Sequence, residues 1–514
     1  MYYRYWFYTK QGLRTTGFPM PLIGTLPKFA KIIQRCGEWE DTPFVEYQKE
    51  CFPKEVPPVY VDFRNYQSSV IVNDPDILHE IFKQSYPNVI DKTPRVFDLF
   101  YGLTGNSFNF QLSKPEILER RKYLMGAFHK SRMEGMLKKI VETAVTKVKQ
   151  QRDIIKSSKI IVQLELCDFL NNLVHQCVEV CVFGISDENS SLKFVQEQRH
   201  EMISMGQFIK KVMTGIFTRS VAPIRQFTSI FDRRFLGKNE KEIEQNCITF
   251  RNYIRDIVNK RRVDLRNPNF KSDDFLTMIL TDDFMKNDIE LIIDESIVFM
   301  LGSIQNVATA LANSLFFVTQ KKEVNDKIRK EIRETFGQSD PEIITINQWQ
   351  EQLNYEDLML KWQYVSMVCT EAMRIEAPTK LSIPYQFNQA TNIRDIKYDK
   401  YQQFHFNIHS LHLNPKEWRE PEQFIPERFD PESPYYLTPE GKRRKPTSYL
   451  PFGGGKRMCM GKTLAENLNK TILPIVVAYL DFQFVRPEFY ERKPPLELAI
   501  NKQYDVIVSA NEKI

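Results

Sequence analysis

Cysteine is sparse and scattered in this 514-residue chain: eight residues, at positions 36, 51, 167, 177, 181, 247, 369 and 459, with no C-x-x-C pair. A disulfide scaffold or a structural zinc ribbon needs clustered cysteines, so both are excluded, and a reducing, cytosol-facing environment fits. Long basic blocks interleaved with aromatics are missing too. Lys plus Arg is 71 and Asp plus Glu is 65, a net charge of +6 that is small for this length and gives no reason to expect a nucleic-acid binder. No apolar run is long and uninterrupted. The stretch Ile289 to Val318 contains Asp294, Glu295, Gln305, Asn306 and Asn313, which suits a buried helix and not a lipid span. Gly461-Lys462-Thr463 looks like the tail of a phosphate-binding loop, but Lys456 stands where that loop needs glycine, and no flavin or nicotinamide motif is present. There is no internal repeat and no low-complexity tract.

What is present is core material: 37 Phe and 22 Tyr exclude disorder over most of the chain. Residues 1–25 form an aromatic, basic and proline-bearing start, with Tyr2, Tyr3, Tyr5, Trp6, Phe7 and Tyr8 beside Arg4 and Lys10, then Gly17-Phe18-Pro19-Met20-Pro21. Such a cluster suits either a membrane–water interface or a tail packed on the body. Val59 to Phe63 and Ser68 to Val72 read as a β-hairpin around Arg64-Asn65-Tyr66. Glycine and proline are then sparse up to about residue 376, as long helices require. Helices are expected over Pro115–Ala127, Met133–Gln151, Leu164–Phe183, Glu244–Arg262, Ile289–Thr319 and Tyr355–Ile375. Residues 378 to 455 are rich in Pro, Tyr and Phe, with few helical runs. A helix returns over Leu464–Leu480, and Leu496–Ile500 and Tyr504–Ser509 look like strands. The expected fold class is mainly α with a small β part (α+β).

The late irregular stretch ends in Phe452-Gly453-Gly454-Gly455-Lys456-Arg457-Met458-Cys459-Met460-Gly461. Three glycines let the backbone approach a neighbour closely. Cys459 follows, beside Lys456 and Arg457 and just before a helix beginning near Lys462. Cations and a helix N-terminus both favour a thiolate, so the site suits a liganding sulfur. A lone cysteine is more commonly an inert core residue.

The segment fits F-x-x-G-x-R-x-C-x-G at Phe452, Gly455, Arg457, Cys459 and Gly461, and so resembles the haem-binding signature of the cytochrome P-450 superfamily. Five fixed positions match by chance in roughly one chain in ten thousand of this length. The resemblance implies a P-450 fold over residues 26–514 as one haem-binding domain, with a long central helix over the haem and the cysteine loop beneath. It implies haem b (iron protoporphyrin IX) with Cys459 as axial thiolate and metal ligand, Arg457 on a propionate and Phe452 shielding the sulfur. Glu371-Ala372-Met373-Arg374 and Pro426-Glu427-Arg428-Phe429 are similar to the family's E-x-x-R and P-E-R-F motifs, which implies a structural Glu371–Arg374–Arg428 network. The C-helix match keeps Arg121 but has Ile117 where tryptophan is usual, and Tyr385 lies where relatives often place a propionate donor.

The largest departure is in the long helix. Small-Gly-x-acid-Thr becomes Leu301-Gly302-Ser303-Ile304-Gln305-Asn306. Gly302 keeps room for a ligand, while Gln305 and Asn306 can hydrogen-bond water without being efficient acids near pH 7. His409 and His412 read as packing residues. Lys442-Arg443-Arg444-Lys445 reads as a solvated loop or, with Lys456, Lys462, Arg120 and Lys122, as a docking face for an acidic reductase. Phe97, Phe100, Phe108 and Phe110 read as pocket lining or core.

The resemblance therefore implies a monooxygenase acting on an apolar small molecule with O2, supplied with electrons from NADPH by a flavoprotein reductase. Two rivals stand beside it: a lyase or isomerase rearranging a peroxide without a reductase, and a non-catalytic haem binder. The family's microsomal members imply the cytosolic face of the endoplasmic reticulum membrane. With no N-terminal span in this sequence, the expectation is attachment through the aromatic start or a truncated gene model.

Overall fold

A computed structural model describes residues 1–37, 41–64, 68–158, 160–185, 191–221, 237–493 and 504–511. At its centre runs a 32-residue helix, Ile289–Gln320, started by Asp288, whose carboxylate accepts the Leu291 N–H at 3.0 Å. From Val307 to Val318 every residue of it is buried, and the polar residues there include Asn313 and Ser314, which donate to Glu376 O and Ala310 O. By length and composition this helix is able to cross a membrane, but 78% of the apolar window is buried inside the fold. It packs against the helices Leu166–Phe183, Lys238–Asp264, Gln363–Ile375 and Lys462–Tyr479. The 28-residue helix Lys130–Ser157 lies behind, against Leu166–Phe183 and Lys462–Tyr479.

The β part is a six-stranded sheet in the order Arg14–Thr15, Val59–Asp62, Ser69–Val72, Gln403–Phe406, Tyr385–Phe387, Ile90–Lys92. It has its own apolar cluster, which includes Tyr8 from the N-terminal helix Tyr2–Thr9. Both expectations for the aromatic start thus find a counterpart: Tyr8 is buried, while Tyr3 and Trp6 are 64% and 56% exposed. Val59–Asp62 and Ser69–Val72 pair antiparallel, as the sequence suggests; the Asn65–Tyr66 turn lies outside the described residues. Asp505–Ala510 forms the middle of a three-stranded sheet, and Leu496–Ile500 lies outside the described residues.

Two differences from the expected elements have clear causes. The helix expected over Tyr355–Ile375 is two helices, Tyr355–Leu360 and Gln363–Ile375. The chain breaks to bury Trp362, whose indole N–H donates to Gln352 O at 2.8 Å, and Glu331 from a neighbouring helix accepts the Tyr364 and Val365 N–H groups at 2.8 and 2.9 Å. A hairpin, Ser191–Gln196 with Arg199–Ser204, was not legible: its turn residues Glu197 and Gln198 have positive φ without glycine or asparagine. The Glu242 carboxylate compensates by accepting both turn N–H groups, at 2.8 and 2.9 Å.

Candidate functional site

Residues 413 to 455 have little regular structure, and two buried arginines hold them. Glu371, Arg374 and Arg428 are all 0% exposed. Arg374 donates to both Glu371 oxygens (2.7 and 2.8 Å) and Arg428 Nε to Glu371 Oε1 (3.1 Å). The remaining guanidinium N–H groups reach out to backbone carbonyls: Arg374 to His412, Pro421 and Gln423, Arg428 to Arg419 and Glu420. Glu371 also accepts the Ile425 N–H at 2.9 Å. One carboxylate so anchors chain segments whose own backbone hydrogen bonds are local turns.

His412 extends this anchor. Its Nδ1 donates to Arg374 O (3.0 Å) and its Nε2 accepts from Leu450 N (2.8 Å), joining the E-x-x-R helix to the start of the cysteine loop. Burial, then Arg374, pushes its pKa down to about 3, so it stays neutral. His409 is depressed likewise, and among the described residues no cluster of His, Cys, Asp or Glu suits a metal ion by itself.

In the cysteine loop Gly453 and Gly455 have φ of +72° and +66°, and a Cβ on Gly454 would come within 2.5 Å of the Phe82 ring. The three glycines are therefore required by backbone shape and by close approach. Cys459 N donates to Phe452 O at 2.9 Å; what the structure shows of Phe452 is this carbonyl contact. The cations that face the sulfur are Arg121 and Lys92, which corrects the expectation of Lys456 and Arg457. Lys456 is solvent-exposed, and Arg457 turns towards residues 108–113. Burial pushes the Cys459 thiol up, while the Gly461 N–H, Arg121 and Lys92 pull it down.

Cys459 has accessible surface although enough protein surrounds it to desolvate its thiol. A thiol with both properties has room beside it for a ligand while most of its surroundings are protein. Gly302 is exposed in the middle of the central helix, where Met300, Ile304 and Gln305 are buried, and a Cβ there would meet nothing within 4 Å. Asn306, one turn on, is partly accessible and donates to Gly302 O at 3.2 Å.

Charge gives a further test of what the space holds. Lys92, missed in the sequence, is fully buried beside Arg457 and Arg121. Burial, then those two like charges, pushes it well below its ordinary range, and Arg121 is lowered by burial and then by Arg457. Asp91, 3.9 Å from Arg457, is the carboxylate on the spot. Asp91 offsets one of the two arginines; the other, and Lys92 once an anion beside it favours its protonated form, would meet the two propionates of haem b. Tyr385 lies in the same cluster; burial pushes it up to about 12, so its hydroxyl keeps its proton and can donate. Arg121 itself donates to Met458 O at 2.6 Å. The residues therefore fit haem b with a cysteine ligand.

The sequence profile of the family described as Cytochrome P450 matches residues 16–507. The chain belongs to the cytochrome P450 family. Members carry haem b on a cysteine thiolate and are oxidoreductases of the monooxygenase type. Curated relatives include Cytochrome P450 72A68 of Medicago truncatula, 21% identical over 85% of this chain and 77% of the relative. Cytochrome P450 4F6 of Rattus norvegicus is 24% identical over 70% of this chain and 63% of the relative. A steroid 17-alpha-hydroxylase/17,20 lyase of Mesocricetus auratus is 26% identical over 59% and 56%. The match thus spans under two thirds of the length of the latter two.

Some weaker expectations change in this P450. Arg444 is no docking residue: it stacks over Trp418 (4.3 Å) and donates to Arg428 O (2.6 Å) and Tyr435 O (2.9 Å). Lys445 pairs with Asp76 at 2.8 Å, and Arg120 turns inward to Glu295 at 3.3 Å. Lys122, Arg443 and Lys456 stay exposed. Phe100 and Phe108 are buried core residues, with Phe110 stacked on Phe100 at 4.3 Å; the Phe97 side chain lies outside the described residues.

Proposed function

We propose that this P450 inserts one oxygen atom from O2 into an apolar organic substrate, with electrons from NADPH passed by a separate flavoprotein reductase. The observation that carries the reading is Cys459, accessible yet largely surrounded by protein, with Arg121 and Lys92 acting on its thiol and with Arg457 beside them sharing the single carboxylate Asp91, a set that would accept two propionates. Haem b, when bound, supplies the oxygen chemistry, and a thiolate ligand favours O–O cleavage. Cys459 gives up its proton on ligation, and Arg121, Lys92 and the Gly461 N–H already favour its anion. Arg121, Arg457, Lys92 and Tyr385 would hold the haem carboxylates. Gly302 leaves room on the central helix. Neither Gln305 nor Asn306 acts as a proton acid near pH 7, so protons come from water or from the substrate itself.

Reconstitution with an NADPH-dependent reductase tests this. Substrate-dependent NADPH oxidation with hydroxylated product is expected, and absent in Cys459→Ala. One observation favours a second reading: Ile304 and Gln305 are buried where relatives carry the acid and the alcohol. It is a lyase or isomerase that rearranges a peroxide. Turnover of a lipid hydroperoxide without reductase, and none with it, would replace the first reading by the second.

For localisation we propose the cytosolic face of the endoplasmic reticulum membrane. Support comes from the exposed Tyr2, Tyr3, Trp6, Phe18 and Leu22, set among Arg4, Lys10, Arg14, Lys28, Lys31 and Arg35, with no Asp or Glu before residue 38.

A further inference from the structure

The central helix and the cysteine loop are joined through one residue. Phe108 donates its N–H to Glu295 Oε1 at 2.8 Å, and its carbonyl accepts from Arg457 Nη2 at 3.2 Å. Around it, Arg457 also donates to Asn109 O (3.3 Å), Gln111 O (3.1 Å) and Ser113 Oγ (2.6 Å), and Lys92 donates to Asn109 O. The same loop is gripped from the central helix. Asp294 accepts the Asn106 N–H at 2.7 Å, and Arg120 bridges Asn106 O (2.7 Å) and Glu295 (3.3 Å). Arg251 ties Asp294 (2.6 Å) to Leu103 O (3.1 Å). Gly105, at φ +49°, allows the approach, because a Cβ there would overlap the Asp294 carboxylate.

Glu295 is 1% exposed. The groups that face it are the Phe108 N–H, Arg120 from the helix Pro115–Leu124, and Asp294 beside it; Arg251 and Glu290 lie beyond Asp294. Burial pushes Glu295 up to about 8, while Phe108 and Arg120 pull it down and Asp294 opposes them. Its ionisation therefore changes in the range where cells and assays operate.

We propose that Glu295 is a positioning residue: ionised, it locks residues 105–113 onto the central helix and so fixes Arg457 and Lys92, which that loop holds, and protonated, it releases Arg120 and loosens Phe108. The consequence for haem rests on the P450 reading above; the movement of the loop does not. Among the described residues, no other ionisable side chain of the central helix bonds a residue whose carbonyl Arg457 uses. The inference gives this fold a pH dependence in its propionate-side cations that Gln305 and Asn306, which do not titrate, cannot supply.

The test uses the haem-loaded protein between about pH 6.5 and about 9.5. Hydrogen exchange of the peptide spanning residues 105–113, corrected for intrinsic rates, is expected to be about tenfold slower above the transition than below it, as for gain of a charge-assisted hydrogen bond. The ferric–ferrous midpoint potential is expected to show a transition at the same pH. Glu295→Gln should abolish both transitions and Glu295→Asp should restore them. Arg120→Gln keeps the carboxyl but removes the cation that favours its ionised form, so the transition should move to higher pH. Identical pH courses for the natural protein and Glu295→Gln overturn the proposal. If Glu295→Gln does not retain haem, an unmoved transition in Arg120→Gln overturns it. Loss of the proposal with an intact thiolate-type ferrous–CO band leaves the haem-thiolate assignment standing, whereas absence of that band from the natural protein would overturn the assignment while the exchange data still report on the loop.

Discussion

Replacing Glu371 by glutamine tests how the irregular stretch before the cysteine loop is held. The substitution keeps the shape of the side chain and removes its charge. It leaves Arg374 and Arg428, both 0% exposed, facing each other with no compensating carboxylate. It also sets an amide N–H against one of the donors that Glu371 now accepts, among them the Ile425 N–H. Breaking a buried ion pair by removing one partner costs about 3–5 kcal/mol. Against a total folding stability of about 5–15 kcal/mol, that is about a fifth of the whole at the least. At 1.4 kcal/mol per power of ten, the locked arrangement loses about two to three and a half powers of ten in its equilibrium constant. The damage falls first on residues 413–455, whose carbonyls the two arginines hold, and then on the cysteine loop that follows. The assay is haem content per polypeptide, the fraction giving a thiolate-type ferrous–CO band, and urea unfolding. We expect Glu371→Gln to lose most bound haem and to unfold at clearly lower urea. Haem content and unfolding midpoint equal to the natural protein would refute the argument that this triad holds the loop in register.

Three further outcomes follow from the site. Lys92→Met removes one of the three basic side chains that we propose meet the haem carboxylates and should weaken haem retention by about tenfold, measured by transfer to apomyoglobin; unchanged transfer would remove Lys92 from the site. Gly454→Ala places a methyl against Phe82 and should cost about 1–3 kcal/mol, with Phe82→Leu restoring part of the loss; an unfolding midpoint that does not move would show that the ring gives way freely. His412 has a folded pKa depressed to about 3 from 6.5, so the neutral form carries stability that is present above pH 6.5 and is lost as pH falls towards 3. Acid unfolding of His412→Gln should therefore be shallower over that window, though not flat, because His175 and His405 are also depressed, to about 4.

Apolar and glycine-poor segments made the central helix, the helices around it and the early hairpin legible, because amphipathic or buried helices and paired strands impose local periods on the sequence. Cys459, Arg457 and the Glu371–Arg374 spacing were legible for the same kind of reason: each belongs to a short run whose residues act together. The break at Trp362 was not, since it is made by a carboxylate on another helix. Nor was the turn at Glu197 and Gln198, which Glu242 holds from 44 residues away in the chain.

The sequence by itself determined that a sulfur would stand at a helix start after three glycines, and that an acid and an arginine would share a helical face. Only the tertiary structure decided which charges surround that sulfur. Lys92, on a β-strand, and Arg121, on a separate helix, supply the positive charge that acts on it, while Arg457, two residues from the cysteine, turns away to hold a loop. Coulomb energy depends on distance through space and on local dielectric, neither of which is encoded by proximity along the chain.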